Sequence, residues 1–329
     1  MKGKKIIIGG FLLLLIAGLT AVLWVNRNRE RPRESYPLKE ITVICPWVQG
    51  GGTDLTLRAL CASAEEELGV PVNVVNKAGE NGALGFSAIK EAEKDGYTLG
   101  MITYELNTLP REGLLDFTYQ DIDPLIMVNA DAVALAAKVD APYSSVNELV
   151  EYARKHPGEI TVAQATPGSV WHVGALLFVD MAGIDVKFLP FEGTANAVTA
   201  AANGYTEVVA ASVAEAKVQV DAGQLKLLGI MDTKRAKLYP DIPTFTEQGY
   251  DITYYTWRGL ALPKGVPAAE KELLEQAFSK AVQSKRFTEE MESRNLDITY
   301  LDHTGFQEFL GQNYEEVGLA LEKIGLLKQ

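Results

Sequence analysis

Three consecutive glycines, set between a β-branched run and a long helical pattern, constrain this chain more than any other feature. Residues 41–68 read ITVICPWVQGGGTDLTLRALCASAEEEL. Ile41 to Ile44 suit a buried strand, and Pro46 closes it because proline has no N–H to give to the ladder. Gly50, Gly51 and Gly52 then admit backbone angles that other residues avoid and let a ligand come close to the main chain. Thr53 or Asp54 is placed to cap the helix that follows. A helix start presents N–H groups without intrahelical partners and the positive end of the helix dipole. The expectation is an anion cradle for a carboxylate or phosphate that needs no cationic side chain. Beside it stands the plainer reading, a tight strand-to-helix turn without a ligand.

Nucleotide loops do not fit. No Lys follows the glycines as a phosphate-binding loop requires, and Leu55 stands where a dinucleotide fingerprint needs its third glycine. A net charge of −12 and a pI near 4.9 argue against nucleic acid, which demands a clustered basic face. An acidic chain still holds an anion where backbone dipoles do the local work. Cys45 and Cys61, the two cysteines, are read as small buried hydrophobes rather than a disulfide. His156, His172 and His303 are too scattered for a metal site, and no cofactor is expected.

Lys2, Lys4 and Lys5 precede an uncharged run from Ile6 to Val25, and Arg27 and Arg29 follow it. Twenty such residues at helical rise just cross the hydrocarbon layer, so residues 1–30 are read as a signal peptide or membrane anchor. The Lys-rich start is expected to stay inside, which puts the body on the outer face of the membrane or in the periplasm. Residues 31–37 form a tether.

Beyond the first helix the strand-turn-helix device repeats. Val70 to Val75 is a second strand, Asn76 to Gly85 another glycine-rich turn carrying Gly79 and Asn81, and Tyr97 to Thr103 a third strand. Parallel sheets of this kind bind ligands beyond the carboxyl ends of their strands, where both turns and Tyr104 would sit. Asp121 to Val139 contains two candidate strands, at Leu125 to Val128 and Ala132 to Ala137, and a domain crossing. Ser145 is placed to cap a helix to Lys155 with Glu148 completing a capping box. Ile160 to Ala163, Val186 to Pro190 and Glu207 to Ala211 are further strands. The turn at Gln164 to Val173 offers Thr166, Gly168, Ser169 and His172, and the next offers Phe191, Gly193 and Thr194. Tyr254 to Leu262 is a strand crossing back, followed by amphipathic helices at 268–284 and 304–323. The class is therefore α/β with two lobes.

PWVQGGGTD (46–54), NKAGENGALG (76–85), DGYTLGM (95–101), PGSVWHV (167–173) and PDIPTFTEQGY (240–250) together resemble the substrate-binding proteins of tripartite tricarboxylate transporters, the Bug family. The resemblance spans residues 36–325 or so. It implies a type II periplasmic-binding-protein-like fold, two α/β lobes joined by a two-strand hinge: 38–127 and 254–329 in lobe 1, 128–253 in lobe 2. It further implies an extracytoplasmic solute-binding receptor, acting as a monomer, that captures a small organic carboxylate and delivers it to integral-membrane transporter subunits. By position, Gln49, Gly50, Gly51, Gly52, Thr53 and Asp54 would meet one carboxylate. Thr166, Gly168, Ser169 and the His172 segment would close from the other lobe, with Ser212 at the end of a lobe 2 strand. Many members carry P-Y-K-G where this chain has Pro190-Phe191-Glu192-Gly193, and Asp where Ala211 stands. Glu192 either disfavours a trianion or is a surface charge.

Other readings stand beside these. His172 is set against a simple bond to a neighbouring carbonyl, Trp47, Trp171 and Trp257 against core packing, and Arg258 against a hinge ion pair. A ligand sensor for a membrane kinase and an exported hydrolase built on Ser169 and His172 are the competing functions. The second lacks both a G-x-S-x-G elbow and a third catalytic member.

Overall fold

Parallel strands buried on both faces need β-branched and apolar residues throughout, and the chain supplies them in short runs separated by helices. In the computed structural model, which describes residues 36–294 and 296–327, these become β1 (Ile41–Cys45), α1 (Gly52–Leu68), β2 (Val72–Asn76), α2 (Ala83–Lys90), β3 (Thr98–Thr103), and the one-turn α3 (Glu105–Thr108). There follow β4 (Ile122–Lys138), α4 (Val146–Lys155), β5 (Thr161–Gln164), α5 (Val170–Ala182), β6 (Lys187–Pro190), α6 (Thr194–Ala202), β7 (Val208–Ser212), α7 (Val213–Asp221) and β8 (Leu225–Ile230). The chain ends with β9 (Tyr255–Pro263), α8 (Ala268–Gln283), α9 (Lys285–Arg294), β10 (Ile298–Leu301) and α10 (His303–Lys323). The expected membrane segment at residues 6–25 lies outside the described residues. Among the described residues no helix is long and apolar enough to cross a membrane.

One sheet runs β2-β1-β3-β9-β4 with β10 on the free edge of β4, and the other runs β6-β5-β7-β4-β8. β1 pairs in parallel with β2 and β3, so their carboxyl ends open on one side, and β5 does the same with β6 and β7. β4 belongs to both sheets. It pairs with β9 as far as Ala132↔Tyr255 and with β7 from Val133↔Ser212 onward, so it passes from one lobe to the other between residues 132 and 133. The two candidate strands at 125–128 and 132–137 are thus one, kept in register past Pro124 by irregularities between Pro124 and Ile126 and between Met127 and Asn129.

The return crossing is not one continuous strand. β8 ends at Ile230, Met231 donates to the Val133 carbonyl at 2.8 Å, and Tyr254 donates to Met231 at 2.9 Å before β9 begins. Residues 232–253 loop out between these points. The Ser145 cap forms, accepting from the Glu148 N–H at 3.2 Å, but the Glu148 carboxylate takes the Ser144 N–H at 2.6 Å instead of closing a box on Ser145.

Trp257, Phe278 and Phe306 are fully buried, and Trp171 is close to it. The Trp257 indole N–H donates to Asn313 at 2.9 Å, which makes it a core residue with its polar atom satisfied. Cys45 and Cys61 are free and buried. Burial pushes the Cys45 thiol up to about 11 and the Cys61 thiol higher still.

Candidate functional site

The first glycine turn is braced from beneath rather than capped. Gly51 is the N-cap of α1 and receives no side-chain cap. Asp54, expected as a capping residue, points inward instead. Its carboxylate accepts from the Gly50 N–H at 2.9 Å, Arg58 Nε at 3.0 Å and Asn76 Nδ2 at 2.8 Å. Asn76 also donates to the Trp47 carbonyl at 2.9 Å. Burial alone would raise the Asp54 pKa, but the bonds from Arg58, Gly50 and Asn76 together hold it below the usual value. Gly50 adopts φ +85°, a conformation glycine takes without strain. Gln49, Gly50 and Gly52 stay exposed, and the N–H groups of Gly52, Thr53 and Asp54 begin a helix with no intrahelical acceptor.

Arg258 reaches this turn from β9. Its Nε donates to Thr53 Oγ1 at 3.1 Å, and its Nη1 donates to Asp131 Oδ2 at 2.6 Å and to Asn129 Oδ1. The residue is 8% exposed. Nη2 has no hydrogen-bond partner among the described residues, and a Cβ on Gly52 would lie 3.4 Å from it. Arg258 therefore makes the hinge ion pair and also aims a free N–H edge at the cradle.

On the same lobe, Tyr104 is fully buried and shares a short hydrogen bond with the Tyr254 hydroxyl. Asn81 sits in a left-handed turn at φ 54°, and Gly79 is exposed. Glu105 accepts from Thr103 Oγ1 at 2.6 Å, and Trp47 donates to the same hydroxyl at 3.3 Å.

Across the cleft, Gly168 lies against the first lobe. At φ +79°, a Cβ there would stand 2.3 Å from the Glu112 carboxylate, so only glycine allows the approach. Thr166 is half-buried, and Ser169 caps α5 by accepting from the His172 N–H at 3.4 Å. The imidazole does not bond a carbonyl: Nδ1 accepts from the Gly168 N–H at 3.1 Å, which leaves the proton on Nε2. Burial lowers the His172 pKa to about 4. The Ser169 hydroxyl and the His172 ring thus face backbone groups rather than each other, and no nucleophile-base bond joins them.

Phe191 is half-buried edge-on to Tyr205, Gly193 is the exposed N-cap of α6, and Thr194 is buried. Glu192 is exposed, a surface charge. Ser212 caps α7 in a full capping box with Glu215. With Asp131 it lines a cavity of about 420 Å³ that extends to Lys234, Lys237, Met291 and Leu296. Among the described residues no three His, Cys, Asp or Glu side chains are grouped to hold a metal ion.

The sequence reading passed over Asn129, Asp131, Glu105 and Glu215. The available signal was, for Asn129 and Asp131, polar residues at alternating positions of the apolar strand β4, and for Glu215 the S-x-x-E spacing from Ser212.

Two α/β lobes sharing one long strand, with helices starting beyond the carboxyl ends of their parallel strands, have the architecture of the type II periplasmic solute-binding class. Residues 56–326 match the tripartite tricarboxylate transporter family receptor, and the chain belongs to that family, which includes the Bug proteins. Protein BugT of Bordetella pertussis is 28% identical over 263 residues, 78% of this chain and 80% of its own. A ligand-free TctC solute-binding protein from Polaromonas covers 88% of this chain and 100% of its own, with 30% identity and a TM-score of 0.76. MatC from Rhodopseudomonas palustris, with bound malate, shares the fold at 23% identity and a TM-score of 0.73, covering 87% of this chain and 100% of its own.

Proposed function

We propose that this chain is an extracytoplasmic receptor that captures a small organic carboxylate between its lobes and delivers it to integral-membrane transporter subunits. The observation that carries the reading is the convergence of the free α1 N–H groups with the unpartnered Nη2 of Arg258 beside Gly52. Those donors suit one carboxylate, held by charge-assisted bonds in a site that sheds water as the lobes meet. Thr166, Gly168 and Ser169 close from the second lobe, and Ala132–Val133 and Met231–Tyr254 are the hinge points. Membership of the receptor family supports delivery to a transporter, and the malate held by MatC supports the ligand class. The segment at 6–25 exports the chain or anchors it to the membrane.

Thermal shift with a panel of mono-, di- and tricarboxylates tests this. A ligand at ~100 times its Kd adds about 2.7 kcal/mol of apparent stability. Gly52→Val sets a branched side chain against Arg258 Nη2 at a position whose backbone tolerates it, and should abolish the shift while leaving the unliganded melting temperature in place. A full shift in that variant would place the carboxylate elsewhere. Uptake in vesicles carrying the transporter subunits tests delivery: no stimulation by the liganded receptor would favour a sensor.

A further inference from the structure

The glycine turn after β2 holds two side chains in a backbone that favours glycine. Among the described residues, Glu80 and Asn81 are the only ones besides glycine with positive φ, at 50° and 54°, and Gly79 and Gly82 flank them with positive φ as well. Such conformations persist where the surroundings over-determine them. Here the inner side of the turn is clamped to the end of β1. A Cβ on Gly82 would lie 3.0 Å from the Phe86 ring and 3.6 Å from Trp47, and one on Gly85 would lie 2.6 Å from the Pro46 backbone. The outer side faces solvent at Glu80 and borders a groove of about 310 Å³. Leu84 and Ser87 of α2 continue that border, and Leu114, Leu115 and Asp116 complete it from the loop after α3.

The lining of this groove points to a polypeptide partner. Leu84 and Leu114 are 49% and 54% exposed, so two large apolar side chains stand in water on one small surface. Glu80 and Asp116 are exposed, neither forms an ion pair among the described residues, and no cationic side chain lines the groove. An apolar surface with an uncompensated acidic edge fits an apolar side chain flanked by Lys or Arg. A second copy of the chain does not fit, because a two-fold contact would set Glu80 and Asp116 against their own counterparts. The chain's own Arg-rich stretch, residues 27–33, leads into β1 beside Pro71, at the opposite end of the strands from the groove.

Resting on the reading that the receptor delivers to a transporter, we propose that this groove docks an extracytoplasmic loop of the membrane subunit. An apolar side chain of that loop sits between Leu84 and Leu114, and its basic neighbours meet Glu80 and Asp116. The position suits the task. The groove lies past the carboxyl ends of β2 and β3, the end at which the cradle opens, so a docked subunit stands beside the cleft. The loop that completes the groove also carries Glu112, and a Cβ on Gly168 of the second lobe would lie 2.3 Å from its carboxylate. A subunit seated there touches a segment whose surroundings change when the lobes part, which lets it tell the liganded receptor from the empty one. A groove of this size takes one or two side chains, in keeping with a contact that forms and breaks at each delivery.

Uptake of the carboxylate that gives the largest thermal shift, into vesicles carrying the transporter subunits, tests this with the full chain. Combining Glu80→Lys with Asp116→Lys should raise the half-saturating receptor concentration roughly tenfold or more, and by less at high salt. Combining Leu84→Gln with Leu114→Gln should do the same at any salt. Neither double variant touches the cradle, so the ligand should shift the melting temperature as it does in the wild type. Glu151→Lys, at an exposed acid on α4 of the second lobe, is the matched control and should deliver normally. A Leu114→Cys variant labelled with a benzophenone maleimide should cross-link to the membrane subunit on irradiation, with Cys45 and Cys61 buried and unlabelled. Should a double variant lose the thermal shift, the cross-link decides alone. Wild-type half-saturation in either double variant, or a cross-link to a second receptor or within the chain in place of the subunit, overturns the inference and leaves the carboxylate receptor standing. A wild type that binds its ligand but stimulates no uptake overturns delivery, and the docking with it.

Discussion

Arg258→Met is the substitution that tests the floor of the cleft most directly. The guanidinium joins α1, β4 and β9 through Thr53, Asn129 and Asp131, with side-chain exposures of 10% for Arg258 and 7% for Asp131. Methionine roughly keeps the volume but strands the Asp131 carboxylate, whose other bond is a 3.2 Å one from Asn129 Nδ2. Removing one partner of a buried ion pair costs about 3–5 kcal/mol, most of it the penalty of the charge left behind. With an unfolding entropy of about 2.1 cal/mol/K per residue, a body of this length should lose roughly 5–8 °C in melting temperature. Adding Asp131→Asn removes the stranded charge, so the double variant should recover about 1–3 kcal/mol of the loss. Urea and thermal unfolding of the two single variants and the double, followed by circular dichroism, close the cycle. A single variant that loses less than about 1 kcal/mol, or a double variant no more stable than Arg258→Met, would refute the idea that a buried pair pins these three elements together.

Other perturbations isolate separate parts of the structure. His172 has a depressed pKa of about 4 against an ordinary 6.5, so its contribution is complete above pH 6.5 and is lost as pH falls toward 4. That span is worth about 3 kcal/mol, and His172→Phe should flatten the stability-against-pH curve over this window; an unchanged slope would mean the ring is not buried neutral. Cys45 and Cys61, buried with raised thiol pKa values, should resist maleimide at pH 7 in the native protein and react only on unfolding. Gly259→Ala would set a Cβ 2.4 Å from the Phe306 ring and 2.6 Å from the Ile126 carbonyl, and should destabilise by about 1–3 kcal/mol through overpacking; a neutral effect would show that β9 and β4 can part at this point.

What was legible in the sequence was what is local. β1, the glycine turn and α1 follow from a β-branched run, three glycines and a helical period within 28 residues of one another, and the motifs that carry the family resemblance are equally short. The cap was misread for a local reason too. Asp54 and Arg58 are one helical turn apart, so the carboxylate has a charged partner on its own helix and a half-buried Asn76 beneath it, and these outcompete the cap. β4 divides into two candidate strands by pattern because Asn129 and Asp131, the two partners of Arg258, interrupt the apolar run between Val128 and Ala132. β8 and the short helix α9 went unread because six residues broken by Lys226, or ten with only Phe287 and Met291 apolar, carry little periodicity of their own.

The floor of the cleft was not legible, because its chemistry is a product of topology. Arg258 and Thr53 are separated by 205 residues, and Arg258 and Asp131 by 127. From sequence, Arg258 was equally a hinge ion pair or a ligand contact. The structure shows the ion pair, and the two readings are compatible: a guanidinium has five N–H donors in a rigid fork, and three contacts to the hinge and turn still leave Nη2 directed at Gly52. The same side chain braces β4 where it leaves the first lobe, so on the proposed reading, in which Nη2 meets the ligand carboxylate, its occupancy would be felt at the hinge. A ligand on Nη2 would stiffen the fork against Asp131, one residue before the crossing at Ala132–Val133. Recognition and closure would then be coupled through a single side chain, and a variant that keeps the ion pair but blocks Nη2, as Gly52→Val does, should lose binding while keeping the hinge.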